Sequence, residues 1–224
     1  MHLRELFLRE DDRSTAVFAF GRFNPPTIGH QKLLSKVVDT AKGLNGKGYI
    51  FLSQKQNNKT PTQTIRKWLD DFVTKPNPVF GNLPPCPFAK KAMLDGKVEF
   101  VELNRTADWR SIYQLIWRTD FDDKDVLCMI ADPRQFTAEE TTSMARELNE
   151  RFMPKDIVVL EDHPEIDERV QEVKLNNGVY TLFLAQRLSK LNSFSKMLES
   201  GPYYKNWSKE YLQEVKGFRD QKKN

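Results

Sequence analysis

The chain reads as an α/β protein: a doubly wound parallel sheet of about five strands, with helices on both faces and a helical C-terminal tail. Two observations predict it. Short continuous apolar runs recur along the chain (AVFAF at 16–20, YIFLS at 49–53, VEFVEL at 98–103, DVLCMIA at 125–131, DIVVLE at 156–161), the pattern of strands covered on both faces. Segments with apolar residues at helical spacing separate them, and such alternation implies a parallel sheet flanked by helices.

Taken in order, Leu3, Leu6 and Phe7 suggest an amphipathic arm over 1–14. The first strand leads through FGRFNPPTIGH into a helix carrying Leu33, Leu34, Val37, Val38 and Ala41, with Gly43 and Gly46 as its stop. After the second strand, the polar stretch QKQNNKTPTQ precedes a helix over 64–73 with Ile65, Trp68, Leu69 and Phe72 on one face. Residues 75–97 are expected to form a proline-rich excursion from the core. Asp108 can cap a helix holding Trp109, Ile112, Tyr113, Leu115 and Ile116. A further helix is expected over 137–151. VYTLF at 179–183 is a candidate final strand, and LAQRLSKL leads on to the C-terminal segment. The main α/β domain is placed at 15–201 and a basic helical tail at 202–224.

The chain has 224 residues, 39% hydrophobic and 29% charged, enough for a packed core. A net charge of +4 from 35 basic and 31 acidic residues is too small and dispersed to argue for nucleic acid. MHLRELFLREDD lacks the continuous apolar core of a secretory leader, and no run approaches a membrane span of roughly 20 residues. Cys86 lies in a proline-rich loop, whereas Cys128 lies within an apolar run and is expected to be a buried thiol. A cytoplasmic protein without membrane association is expected.

Several strings are set aside. GLNGKGY precedes a strand instead of linking strand to helix, so it reads as a turn and not as a glycine phosphate fingerprint. No Walker-type string and no GxSxG elbow occurs. EDHPEIDE gathers His163 with Glu161, Asp162, Glu165, Asp167 and Glu168, and is expected to be an exposed acidic loop instead of a metal site.

FGRFNPPTIGH has more special geometry than a turn requires. Gly21 permits a sharp exit from the strand, Pro25 and Pro26 stiffen the path, and Gly29 leaves room beside His30. His30 then falls in the first turn of a helix, among unpaired N–H groups and at the positive end of the helix dipole. An imidazole there can donate a hydrogen bond to a phosphate as charge builds on it.

The string resembles the signature of the nucleotidyltransferase superfamily with the (H/T)xGH motif, here Thr27-Ile28-Gly29-His30 preceded by GRFNPP. That superfamily includes cytidylyltransferases and nicotinamide-mononucleotide adenylyltransferases. The likeness looks closest to the nucleotidyltransferase-like proteins of large tailed bacteriophages and runs, with gaps, over about 16–201. LSQKQNNKTPTQTIRKW is similar to the family's polar segment after the second strand, with Lys55, Lys59 and Arg66 as candidate phosphate or acceptor contacts. VLCMIADPRQF is similar to the fourth-strand GxD-and-arginine region, with Ala131 in place of the glycine and Asp132 and Arg134 as nucleotide contacts. LNSFSKML is similar to the late ISxTxxR motif, whose N-terminal helix residues grip the β- and γ-phosphates. Ser193, Ser195 and Lys196 match it in part, and Leu198 stands at the arginine position.

The resemblance implies a Rossmann-like sheet and an enzyme that moves a nucleoside monophosphate from an NTP to a phosphorylated small-molecule acceptor, releasing pyrophosphate. His30, Thr27 and Lys196 are its implied catalytic residues. Gly21, Arg22, Phe23, Asn24, Gly29, Asp132, Arg134, Ser193 and Ser195 are its implied nucleotide contacts. Mg²⁺ is held mainly by the phosphates, and the host cytoplasm is the implied location if the chain is phage-encoded. The acceptor, the choice between CTP and ATP, and homo-oligomerisation stay open. Loss of the late arginine and the basic tail point to the alternative of a catalytically weakened nucleotide-binding or virion-associated protein.

Overall fold

A computed structural model describes residues 16–21, 28–52 and 60–220. The chain divides into two compact units, Met1–Asn58 and Lys59–Asn224. The arm expected over 1–14 lies outside the described residues.

The first unit is a βαβ element. β1 (Ala16–Gly21) is followed by α1 (Ile28–Gly43) and β2 (Lys47–Leu52), and the two strands pair in parallel, with Ala16 level with Lys47 and Gly21 level with Leu52. Of the face read from sequence, Val37 and Ala41 are buried and Leu33 and Leu34 half-buried, while Val38 is exposed. α1 stops at Gly43, and the chain turns through Asn45 at a positive φ of 49°, with the Gly46 N–H donating to the Ala41 carbonyl at 2.8 Å. The glycine string is thus a helix stop. Gly48 on β2 has a further role, since a Cβ there would meet Val37 Cγ1 at 3.2 Å, so helix and strand pack closely at this point.

The second unit opens with α2 (Pro61–Trp68), which Thr60 caps in a reciprocal box with Gln63 and which continues as a π-helical turn over Leu69–Val73. There follow α3 (Ala89–Leu94), β3 (Val98–Glu102), α4 (Trp109–Arg118), β4 (Val126–Ala131), α5 (Ala138–Phe152) and β5 (Ile157–Asp162). A small hairpin of β6 (Arg169–Val170) and β7 (Val173–Lys174) precedes β8 (Thr181–Arg187), then α6 (Leu188–Glu199), α7 (Lys209–Leu212) and α8 (Phe218–Asp220). Asp108 and Thr137 cap α4 and α5 through reciprocal boxes with Ser111 and Glu140.

The sheet order is β3-β4-β8-β5. β3 pairs with β4 in parallel, while β8 runs antiparallel to both β4 and β5. This corrects the expectation of a wholly parallel sheet: the fold is α/β with a sheet of mixed orientation. β5 leaves the sheet at Asp162, and the chain re-enters between β4 and β5 at the same edge, so β8 has to run backwards. A continuous apolar run encodes burial on both faces and carries no sign of direction. β8 also extends to Arg187, taking in LAQR, because Leu184 and Ala185 pair with Cys128 and Leu127.

Both faces of β4 are covered. Leu127, Met129 and Ala131 join Ile112, Ile116, Leu148 and Phe152 of α4 and α5 in one core cluster. Cys128 and Ile130 join Ile65 of α2 in another. Cys128 is 2% exposed, and burial pushes its thiol up to about 12, as expected of a buried structural cysteine.

Segment 75–97 departs from the excursion expected of it. Val79 and Phe80 form a third cluster with Val170 and Tyr203, flanked by Tyr204, Trp207 and Tyr211 of the tail. Fully burying Phe80 contributes about 1.5–3 kcal/mol. The Tyr203 hydroxyl donates to the Pro85 carbonyl, and Asn206 Nδ2 donates to the Val79 carbonyl at 2.8 Å. The tail aromatics are therefore packing groups for the proline-rich segment.

Candidate functional site

The chemistry read from the sequence falls at two places. In the first unit, Gly21 ends β1, and α1 begins at Ile28, so Gly29 and His30 lie in its first turn. The leading N–H groups of a helix have no acceptor within it, and no acidic residue in this first turn offsets the positive end of the dipole. Arg22, Phe23, Asn24 and Thr27 of the loop, and Lys55 and Lys59 after β2, lie outside the described residues.

In the second unit β3, β4 and β5 point the same way, and the loops leaving their carboxyl ends gather polar side chains. Asp132 follows β4 directly, and Arg134 turns back on it. The Arg134 backbone N–H donates to Asp132 Oδ1 at 3.0 Å, Nε donates to the same oxygen at 2.9 Å, and Nη2 donates to Oδ2 at 2.7 Å. These hydrogen bonds, and then the charges of Arg134 and Arg105, hold the Asp132 carboxyl well below the usual carboxylate range. Arg105, absent from the sequence reading, stands with Nη2 4.0 Å from Asp132 Oδ2. Its signal was position, in the loop that leaves β3 just before the cap of α4. The side chains of Arg105 and Arg134 are 84% and 81% exposed, so two guanidiniums face solvent over one carboxylate.

Two side chains hold these loops together. Gln135 Nε2 donates to the Asn104 carbonyl at 3.0 Å and the Ala107 carbonyl at 2.7 Å, clipping the β4–α5 loop to the β3–α4 loop. His163 Nδ1 accepts the Glu165 N–H at 3.1 Å, which leaves Nε2 as the protonated nitrogen, 3.2 Å from the Pro133 carbonyl and 3.1 Å from that of Phe136. His163 is 2% exposed and positions the loop that carries Asp132 and Arg134.

The acidic string around His163 is another correction. Glu165 and Asp167 are exposed, but Asp162 is buried and Glu161 and Glu168 are partly so. Asp162 Oδ2 accepts from the Asn177 backbone N–H at 3.0 Å and from Asn177 Nδ2 at 2.8 Å. Burial raises its pKa, and burial also pushes Glu161 up to about 7. Glu168 stands at about 7 as well, through burial and then the like charges of Asp162, Glu161 and Glu214. A strand that continues as a packed loop looks the same in sequence as one that leaves into solvent. Among the described residues, no three His, Cys, Asp or Glu side chains converge as a metal cage would require.

The late-motif residues are not gathered at a helix start. α6 begins at Leu188, which puts Ser193, Ser195 and Lys196 in its middle and last turns, where backbone N–H groups are already bonded within the helix. Its N-terminus follows Arg187, which is level with Ile157 at the sheet edge opposite Asp132. Asp156 already fills it: the Leu188 N–H donates to the Asp156 carbonyl, the Ser189 N–H donates to Oδ1 at 2.7 Å, and the Ser189 hydroxyl donates to Oδ2 at 2.6 Å. Ser195 is buried, with Arg219 Nη1 3.5 Å from its Oγ. The leading N–H groups of Leu188 and Ser189 are thus taken by Asp156, while Ser193 and Lys196 are exposed further along the helix.

Arg66, in the last turn of α2, stacks over the Phe100 ring at 4.3 Å. The Thr62 N–H at the start of α2 donates to Glu102 Oε1 at 3.0 Å, so a carboxylate of this chain occupies that helix N-terminus. Among the described residues no helix is long and apolar enough to cross a membrane. Compared with family models, curated proteins and solved structures, the chain matches none.

Proposed function

We propose that the protein is a nucleotidyltransferase. The observation that carries the reading is the string FGRFNPPTIGH joining a strand to a helix inside a parallel βαβ element, with Gly29 and His30 in the helix's first turn. On this reading β1, α1 and β2 form a Rossmann-like nucleotide-binding element. The triphosphate arrives as its Mg²⁺ complex, and the N–H groups opening α1 take a phosphate oxygen. An oxygen of the acceptor's phosphate attacks the α-phosphorus in line. The new O–P bond forms as the bond to the β-phosphate oxygen breaks, and pyrophosphate leaves. His30 donates a hydrogen bond to the oxygen on which charge grows, so the protein contributes positioning and electrostatic stabilisation with no covalent step of its own. Arg134 and Arg105 are the nucleotide-facing cations proposed for the second unit.

A second reading is favoured by the capped start of α6. With Asp156 on its leading N–H groups and Leu198 at the late-motif arginine position, the triphosphate grip is missing, and the chain is then a weakened nucleotide-binding or virion-associated protein. Pyrophosphate release from each NTP with Mg²⁺ and a panel of phosphorylated acceptors separates the two. Release that is lost in His30→Ala supports the enzyme. Nucleotide binding without release supports the weakened binder, and no nucleotide binding contradicts both.

A further inference from the structure

An asparagine is followed by glycine twice in the chain, at Asn45-Gly46 and Asn177-Gly178, and the fold treats the two pairs oppositely. Glycine has no Cβ, so the backbone nitrogen after such an asparagine is open to close approach. Asn177 is held from both ends of its amide. Its Nδ2 donates to Asp162 Oδ2 at 2.8 Å and to the Tyr180 carbonyl at 2.7 Å. Its Oδ1 accepts the Val179 and Tyr180 N–H groups at 3.0 and 2.8 Å. Asn45 is exposed in the turn that ends α1, at a φ of 49°, and among the described residues no hydrogen bond engages its side-chain amide.

We infer that Asn45 is a modification site: it deamidates with water as the co-reactant, while the fold protects Asn177. The Gly46 nitrogen attacks Asn45 Cγ. The N–Cγ bond forms as the Cγ–Nδ2 bond breaks, and Nδ2 leaves as ammonia with the proton of the Gly46 N–H. Water then opens the cyclic imide at either carbonyl, giving aspartate or, with the main chain rerouted through Cγ, isoaspartate. The Gly46 N–H is tied to the Ala41 carbonyl at 2.8 Å, so the attack waits for that bond to open. It is the last bond of a helix end in an exposed turn, and such ends open at little cost. Ring closure at Asn177 requires its side-chain bonds to break as well. Either product puts a carboxylate beside the last carbonyls of α1, at the negative end of the helix dipole, so the helix stop is weakened. The inference stands on these two turns and does not depend on nucleotidyl transfer.

Incubating the full chain in mildly alkaline buffer, then mapping its peptides by mass, tests it. The peptide containing residue 45 should gain the mass of an amide-to-acid exchange and split into aspartate and isoaspartate forms. Conversion at Asn45 is expected to be at least ~10-fold faster than at Asn177. In urea, with both turns unfolded, the two rates should converge, which assigns the difference to the fold. On isoelectric focusing the folded chain should develop an acidic species that is lost in Asn45→Gly, a substitution that keeps the left-handed turn. Asn177 converting as fast as Asn45 in the folded chain overturns the proposal. So does Asn45 staying intact over a period in which the urea-unfolded chain is converted.

Discussion

The guanidinium of Arg134 grips both oxygens of the Asp132 carboxylate two residues before it, with Nε 2.9 Å from Oδ1 and Nη2 2.7 Å from Oδ2. This is a bidentate pair closed within one loop at the carboxyl end of a central strand, and its arginine side is open to solvent. Asp132 fixes where the guanidinium stands, and Arg105 of the neighbouring loop adds a second exposed guanidinium beside it.

Arg134→Ala is therefore expected to act on binding far more than on stability. An exposed pair contributes about 0–1 kcal/mol to folding. A charge-assisted contact to a phosphate contributes about 1.5–3 kcal/mol, so NTP affinity should fall roughly 10-fold or more. Urea unfolding and nucleotide titration of one preparation check both halves. Unchanged nucleotide affinity would remove Arg134 from the site.

The partly buried acids that flank His163 predict a pH dependence. Glu161 and Glu168 ionise near 4.5 ordinarily and at about 7 in the folded chain. The folded state thus holds protons that the unfolded chain has released, and their stabilising effect is complete below about pH 4.5 and lost as pH rises through about 7. The melting temperature should fall between about pH 5 and about pH 8 more steeply than in the double variant Glu161→Gln, Glu168→Gln. Parallel curves for the two proteins would contradict the burial of these acids.

Legibility in the sequence followed periodicity. The run VLCMIA declared β4 buried on both faces, and Leu127 and Cys128 do face opposite cores. Asp108 was readable as the cap of α4 because the cap is a local contact. The direction of β8 was not readable, since it follows from where the chain re-enters the sheet after β5. Equally hidden were the burial of Asp162 and the Asp156 cap of α6, which depend on partners 15 and 33 residues away. Ser193 and Lys196 matched a motif by residue type, but the start of their helix is set by Asp156, which no spacing within the motif reports.

Gly81→Ala tests how the proline-rich segment meets the tail. Gly81 has φ of 66°, and a Cβ there would lie 2.5 Å from Pro202 Cγ. A left-handed alanine costs about 1–2 kcal/mol, and overpacking against a stiff ring adds about 1–3 kcal/mol. A loss of about 2–5 kcal/mol is expected by urea unfolding. A loss below about 1 kcal/mol would mean that the two segments do not pack this way.

The central claim is that the helix following FGRFNPPTIGH holds a reacting triphosphate. The most direct measurement is pyrophosphate release by the wild-type chain and by His30→Ala, with Mg²⁺, each NTP and phosphorylated acceptors. The account predicts release by the wild type with at least one NTP, and a loss of roughly 100-fold or more in the variant at similar nucleotide affinity. Release that is indifferent to His30→Ala would contradict it.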